Sequence, residues 1–171
     1  MMKNGITILF LALIFFSTFT YSAEQKEYLS PDGKYWAIVV PLSKSSYGSG
    51  ENEIFIKTKD GNILCSQNYA SDDGEHGFVV ETAAWTPDSK FFVYSLSSSG
   101  GHQAWHFPTD FISTIDGKVR RLDEFVGPIT DPSFALIAPN TINTSGRDKT
   151  TLDEANFEVK LSELLKHELK K

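Results

Sequence analysis

The sequence has a single cysteine, Cys65, among its 171 residues, so an intrachain disulfide is excluded. Cys65 ends the strand-like run 62–65, where a free thiol behaves as a small apolar side chain. A catalytic thiol needs a histidine and a positive environment, and neither lies beside it in the sequence. We therefore predict a buried and unreactive thiol at this position.

Positive charge is also scarce. Sixteen Lys and Arg residues stand against 22 Asp and Glu residues, which gives a formal net charge of −6. A modestly acidic chain without a basic stripe argues against a nucleic-acid partner. A long hydrophobic run is missing as well, because the apolar run 6–16 is well below the roughly 20 residues that cross a bilayer.

The start of the chain has the pattern of a secretory signal peptide. Lys3 precedes the short apolar run 6–16, and small residues lead to Ser22 and Ala23. We predict that residues 1–22 are a signal peptide and that residues 23–171 form a single β-rich domain. The protein is then periplasmic or secreted, with no membrane insertion after signal cleavage.

Two stretches of the sequence repeat one pattern. Repeat 1 spans about 28–66 and repeat 2 about 78–122, and each reads as strand, long loop, strand, Asp-Gly turn, strand. Pro31 and Pro87 are 56 positions apart, and so are Asp60 and Asp116. Two separate turns that share one offset indicate an internal repeat.

The repeated segments Ser30-Pro31-Asp32-Gly33-Lys34 and Trp85-Thr86-Pro87-Asp88-Ser89-Lys90 resemble the blade repeat of TolB-type β-propellers. The resemblance implies blade-like antiparallel sheets in an exported protein that acts through protein contacts. A closed propeller needs at least about four blades, and the sequence shows two. The two sheets therefore either pack face to face within one chain, as in a sandwich, or form a partial propeller that a homo-oligomer completes.

The last segment, 123–171, is predicted to contain short strands and one helix. Residues 134–137 and 141–144 flank a Pro-Asn turn, and residues 156–161 alternate apolar and charged side chains. Ser162 is a candidate N-cap for a closing amphipathic helix with a leucine stripe. The predicted fold class is therefore all-β, with two blade-like antiparallel sheets and a C-terminal amphipathic helix.

The densest group of aromatic and histidine residues lies in the segment 101–108, between glycine and proline. Aromatic and amide side chains on such a loop are typical of binding surfaces. The candidate binding residues are His102, Gln103, Trp105, His106 and Phe107, together with His76 and Tyr47 from neighbouring loops. In the alternative interpretation, Trp105 and Phe107 only fill the space between the sheets.

No catalytic residue, metal site or cofactor is predicted. The sequence favours an exported, non-catalytic binding module with a protein partner in the periplasm. One alternative is a small metal-dependent hydrolase that uses His102 and His106, with His76 or Asp110 as a further ligand. Another is an inhibitor or immunity-type protein directed against a secreted enzyme.

Overall fold

We describe the protein from a computed structural model, which covers residues 24–42 and 50–168. The predicted signal peptide 1–22 and the candidate binding residue Tyr47 lie outside these residues. Within them the chain forms three antiparallel sheets and two short helices. The predicted all-β class is confirmed.

The strands follow one another along the chain in each sheet, so every sheet is a simple meander. The first sheet contains β1 (Lys26–Leu29), β2 (Tyr35–Pro41), β3 (Asn52–Thr58) and β4 (Ile63–Asn68). The second contains β5 (Phe78–Trp85), β6 (Phe91–Ser98), β7 (Thr109–Ser113) and β8 (Val119–Arg121). The third contains β9 (Ala135–Ile137), β10 (Thr141–Arg147) and β11 (Glu154–Lys160), and the helices are α1 (Asp123–Val126) and α2 (Leu161–Glu168).

The second sheet is the middle layer, and its strand β6 is buried on both faces. Phe92 and Tyr94 point into a first core shared with the first sheet, whereas Phe91 and Val93 point into a second core shared with the third sheet and α2. Because side chains alternate along a strand, a strand covered on both sides must be apolar at every position. Residues 91–94 of β6 are all apolar, as this burial requires, whereas the equally apolar β2 keeps an outer face that no described element covers.

The third sheet is a correction to the prediction of two sheets. The strands that form it are recognisable in the sequence, but they are rich in Thr, Asn and Ser and were not expected to add a layer. The structure shows Ile142 and Leu161 fully buried against the second sheet, in the second core. Burial of one apolar face is enough to place such a sheet, even when its other face is polar.

The short turns of the three sheets contact one another. The Asp32 N–H donates to Ser89 Oγ at 3.0 Å, and the Asp88 N–H donates to the Pro139 carbonyl at 3.1 Å. The Asn140 side-chain amide also donates to Asp88 Oδ2 at 2.6 Å. The turn at Pro139-Asn140 is therefore a third counterpart of the two repeated Pro-Asp turns. Hydrogen bonds join the three turns in a row.

The meander order separates two kinds of connection. The Pro-Asp and Asp-Gly turns lie at one end of the sheets, which we call the turn end. The long connections lie at the opposite end, the loop end, and their described residues are 42, 50–51, 69–77, 99–108 and 148–153. The candidate binding segment 101–108 is therefore placed beside the loop 69–77 by the topology alone.

The C-terminal helix α2 has a different cap from the predicted one, because Ser162 lies inside the helix. It starts at Leu161, and the Ser162 N–H donates to the side chain of Asn140 at 3.3 Å. Asn140, in the β9–β10 turn, therefore provides the acceptor that was expected from Ser162. No helix within the described ranges is both long and apolar enough to span a bilayer.

Candidate functional site

The candidate site lies at the loop end, where the loops 69–77 and 99–108 meet. A buried carboxylate holds the two loops together. Glu51, only 2% exposed, accepts hydrogen bonds from Ser71 N and Oγ, both at 2.6 Å, from Gly77 N at 2.7 Å and from Ser99 Oγ at 2.8 Å. One side chain thus fixes both loops relative to the start of β3.

The environment of Glu51 favours its charged form. Burial by itself raises the pKa of a carboxyl group, but the hydrogen bonds from Ser71, Ser99 and Gly77 stabilise the carboxylate and lower the pKa of Glu51 overall. The carboxylate is therefore ionised at neutral pH, and both of its oxygen atoms accept hydrogen bonds. Charge-assisted hydrogen bonds of this kind are stronger than neutral ones.

The loops approach so closely that glycine is required where they touch. A Cβ on Gly77 would collide with the Tyr69 carbonyl and the Glu51 carboxyl, and a Cβ on Gly100 would collide with the Glu75 carbonyl. Neither glycine needs a positive φ, so the requirement is steric. These contacts hold the segment that follows Gly100 against the loop 69–77.

Two of the predicted histidines form a stacked pair across the loops. The rings of His76 and His102 are 4.9 Å apart between centroids and nearly parallel, at 12°. His76 Nδ1 also lies 2.5 Å from Asp73 Oδ2, and hydrogen bonds from Ser71 and Glu75 lower the pKa of Asp73. Both histidines are exposed, so the pair presents a flat, polar-edged surface to solvent.

Trp105 is the most prominent apolar group of the site. It is 49% exposed, and its ring stacks on His106 at 5.4 Å between centroids. The Arg147 guanidinium, from the end of β10, lies 5.2 Å from the Trp105 ring centroid, in cation–π contact. The indole therefore contacts both a histidine and an arginine while about half of its surface stays open to solvent.

The far side of the loop is held by Asp123, at the start of α1. Its Oδ1 lies 2.7 Å from His106 Nε2, and its Oδ2 accepts the Thr109 N–H at 2.9 Å. The Phe107 N–H donates to the Ile129 carbonyl at 2.9 Å. Gln103, at φ 58°, makes the turn between the two held ends and accepts the His106 N–H through its carbonyl.

The structure brings most of the predicted residues together at this end. His76, His102, Gln103 and Trp105 are exposed, and His106 and Phe107 are half-buried. The alternative in which Trp105 fills the space between sheets is wrong, because its side chain lies outside both cores. Phe107 is half-buried, but it also belongs to neither core.

Two important residues were missed. Glu51 precedes a strand and follows a Ser/Gly loop, and nothing local marks it as a buried anchor. Arg147 is more than forty positions from Trp105 in the sequence, so only the packing of the third sheet brings them into contact. No spacing of residues in the sequence predicts the contacts of Glu51 or the contact of Arg147 with Trp105.

The histidines of the predicted metal alternative have separate partners. His102 stacks on His76, His106 bonds to Asp123, and Asp110 bonds to other residues altogether. Among the residues that the structure describes, no group of three or more His, Cys, Asp or Glu side chains is placed to hold a metal ion. The structure therefore brings His76 and His102 into contact but gives His106 and Asp110 other partners.

Asp110 instead belongs to a buried polar cluster between the first two sheets. Its Oδ2 accepts the Tyr69 hydroxyl at 2.6 Å, and its Oδ1 accepts Arg121 Nε at 3.0 Å. The Tyr94 hydroxyl lies 2.8 Å from that of Tyr69. Burial, with the nearby Asp110 charge, raises the pKa of both tyrosines, and the hydrogen bond to Asp110 raises the pKa of Arg121. The cluster is a satisfied network within the core.

Cys65 lies in β4 and is half-buried against the first core. Burial raises the pKa of its thiol, which lowers the thiolate fraction at neutral pH.

The chain matches no protein-family model and no curated protein. The function must therefore be argued from the geometry of the loop end.

The carboxylate of Glu51 can be tested directly. We expect Glu51→Gln to lower the free energy of unfolding at pH 7 by about 1–3 kcal/mol, because an amide NH₂ would face donors that now bind a carboxylate. A lowered pKa means that this stabilisation is present above the usual glutamate value of 4.5 and is lost as pH falls through the lowered pKa. The difference between wild type and variant should therefore shrink in acid.

Urea unfolding of both proteins at several pH values measures this difference. Glu75→Gln, in the same loop but exposed, is the matched control and should change stability by less than about 0.5 kcal/mol. A Glu51→Gln protein as stable as wild type at pH 7 would mean that the carboxylate is not what holds the loops.

Proposed function

We propose that this protein is an exported, non-catalytic binding module that recognises a protein partner through its loop end. The observation that carries the proposal is the state of Trp105, which is half exposed yet in contact with both Arg147 and His106. The contact residues are Trp105, His102, His76 and Arg147, with Gln103 at the rim. The internal turn repeat supports kinship with TolB-type blade proteins as part of the same proposal.

An exposed aromatic ring that is already immobilised suits binding. Association costs about 0.5–1.5 kcal/mol for each flexible side chain that it orders, and the contacts of Trp105 remove most of that cost in advance. Tryptophan and arginine are also the residue types most enriched among those that dominate binding energy. The stacked histidines extend this surface with flat rings and polar edges.

The chemistry of the surface indicates what a partner should offer. The indole face favours an apolar or aromatic side chain, and Arg147 favours a carboxylate beside it. A protein segment with an apolar residue next to an acidic residue fits both groups. Export by the predicted signal peptide would place this encounter in the periplasm or outside the cell.

Site-specific photo-crosslinking tests the proposal in cells. The full chain is expressed with p-benzoylphenylalanine in place of Trp105 and irradiated, and crosslinked species are identified by mass spectrometry. We expect a discrete adduct with one protein. The matched control carries the same group in place of Ile115, which is 65% exposed in the turn after β7, at the turn end.

The adduct should disappear when Arg147→Ala is added, because the aromatic group at position 105 then loses the contact that orients it. Equal crosslinking from positions 105 and 115, or none from position 105, would contradict a binding role for the loop end.

A further inference from the structure

The outer face of the first sheet is apolar and is not covered by any described element. Its central residues are Trp36, Ile38 and Val40 of β2 and Phe55 of β3, which alternate with the inward residues of the first core. All four are partly exposed, and none packs against either core. Leu29 and Ile63 extend the same face and are exposed.

The opposite end of the stack is different. The outer face of the third sheet carries Asn143 opposite Glu158 and Ser145 opposite Asn156, and the Ser145 hydroxyl donates to Asn156 at 2.7 Å. In stacked-layer proteins a polar outer face is what closes an end to further packing. The third sheet therefore ends the stack, whereas the first sheet presents the kind of face that its neighbours bury.

The residues on the apolar face follow a pattern that is complementary to itself. In the β2–β3 register, Ile38 lies opposite Phe55 at the centre, Trp36 lies beside Lys57 on one side, and Val40 lies beside Glu53 on the other. Glu53 and Lys57 are each two residues from Phe55. They therefore lie about 7 Å to either side of it and carry opposite charges.

Consider a two-fold axis that lies in the plane of this face, runs perpendicular to the strands and passes level with Phe55. This axis places each residue of the face opposite a complementary residue of the second copy. It sets Phe55 against its own copy and Lys57 against Glu53 of the other chain. It also sets the large Trp36 against the small Val40. Head-to-tail stacking would instead place the apolar face on the polar face of the third sheet, which leaves the apolar residues poorly matched.

We propose that this face binds the same face of a second copy, so that the protein forms a two-fold symmetric dimer through its first sheet. The pair between Lys57 of one copy and Glu53 of the other is then formed twice by symmetry. Glu27 is a further charged group on this face. It lies on the edge strand β1, where it is exposed and hydrogen-bonded to Gln25. In the dimer it therefore faces Glu27 of the other copy at the solvent-exposed rim of the interface.

The size of the face determines how tightly the two copies are expected to bind. Four strands about 4.8 Å apart and up to seven residues long give a face of about 19 by 23 Å. This area is at the small end of specific protein interfaces. The dimer should therefore dissociate in the micromolar range, where sedimentation can follow both species.

A charge-swap series measures the proposal. The full chain is expressed with its leader, and the form that the cell makes is purified and studied by sedimentation over a range of concentrations. Glu53→Lys alone and Lys57→Glu alone should each weaken the dimer by at least about tenfold, because each creates two like-charge contacts. The double variant, Glu53→Lys with Lys57→Glu, should restore association to within a few fold of wild type.

The variants are checked by circular dichroism, and Glu154→Lys on the outer face of the third sheet is the charge control. If the double variant forms the dimer again, misfolding cannot explain the weaker association of the single variants. A wild-type protein that stays monomeric to about millimolar concentration would overturn the proposal. So would a dimer that the single swaps leave intact, or an assembly that grows beyond two copies.

Discussion

Replacing Phe92 with alanine is expected to lower the free energy of unfolding by about 3–5 kcal/mol. Phe92 is fully buried at the centre of the first core. Its ring lies 5.5 Å from Tyr28, 5.2 Å from Trp85 and 5.8 Å from Tyr94, between centroids. The three rings come from different strands of two sheets, so they cannot collapse into the cavity that the substitution leaves.

Urea unfolding followed by tryptophan fluorescence measures the loss, because Trp85 reports on the same core. Ile115→Ala, at an exposed position of the same sheet, is the control and should change stability by less than about 0.5 kcal/mol. Phe92→Leu should fall between the two, since it keeps part of the buried volume. If Phe92→Ala cost as little as the control, the first two sheets would not be packed together in solution.

Replacing Asp110 with alanine is expected to cost about 2–3 kcal/mol, because the buried Tyr69 hydroxyl and the partly exposed Arg121 guanidinium lose their shared partner. Asp110 is almost completely buried and accepts hydrogen bonds from Tyr69 and Arg121. Without it, the guanidinium loses its counter-charge and the Tyr69 hydroxyl loses its acceptor. The Arg121 side chain is 38% exposed, so solvent offsets part of its loss, and the Tyr69 hydroxyl left without an acceptor accounts for most of the cost.

The control for Asp110 is an exposed ion pair. Glu163→Ala removes the partner of Lys160 on the surface of α2 and should cost less than about 1 kcal/mol. If the two substitutions had equal effects in urea unfolding, the Asp110 cluster would be solvated rather than buried. Addition of Arg121→Met to Asp110→Ala should recover part of the lost stability, because it removes the unpaired charge.

The same cluster affects stability in alkali. Burial and the Asp110 charge raise the pKa of Tyr69 and Tyr94, so neither phenol ionises readily while the fold is intact. A raised folded-state pKa gives stability that is present below the usual tyrosine value of 10 and is lost as pH rises above it. The phenolate absorbance of these two residues should accordingly appear only with unfolding.

Some of the site could be predicted from the sequence because its residues are close together along the chain. Glycine and proline around the segment 101–108 indicated a loop, and loops lie on the surface. Trp105 and His102 are exposed there, as a binding loop requires. The carboxylate that holds this loop, Glu51, lies nearly fifty residues earlier, and its partners are backbone and hydroxyl groups that no residue pattern singles out.

The alternating apolar pattern and the repeated turns determined the all-β class and most strand positions. This is because backbone pleating and turn conformation depend on neighbouring residues. Tertiary structure alone decided that a third sheet joins the stack and that Arg147 covers Trp105. It also decided that Asp110 pairs with Arg121 instead of a histidine. These outcomes depend on which faces meet across long sequence separations, and that is settled by burial and charge pairing in the assembled core.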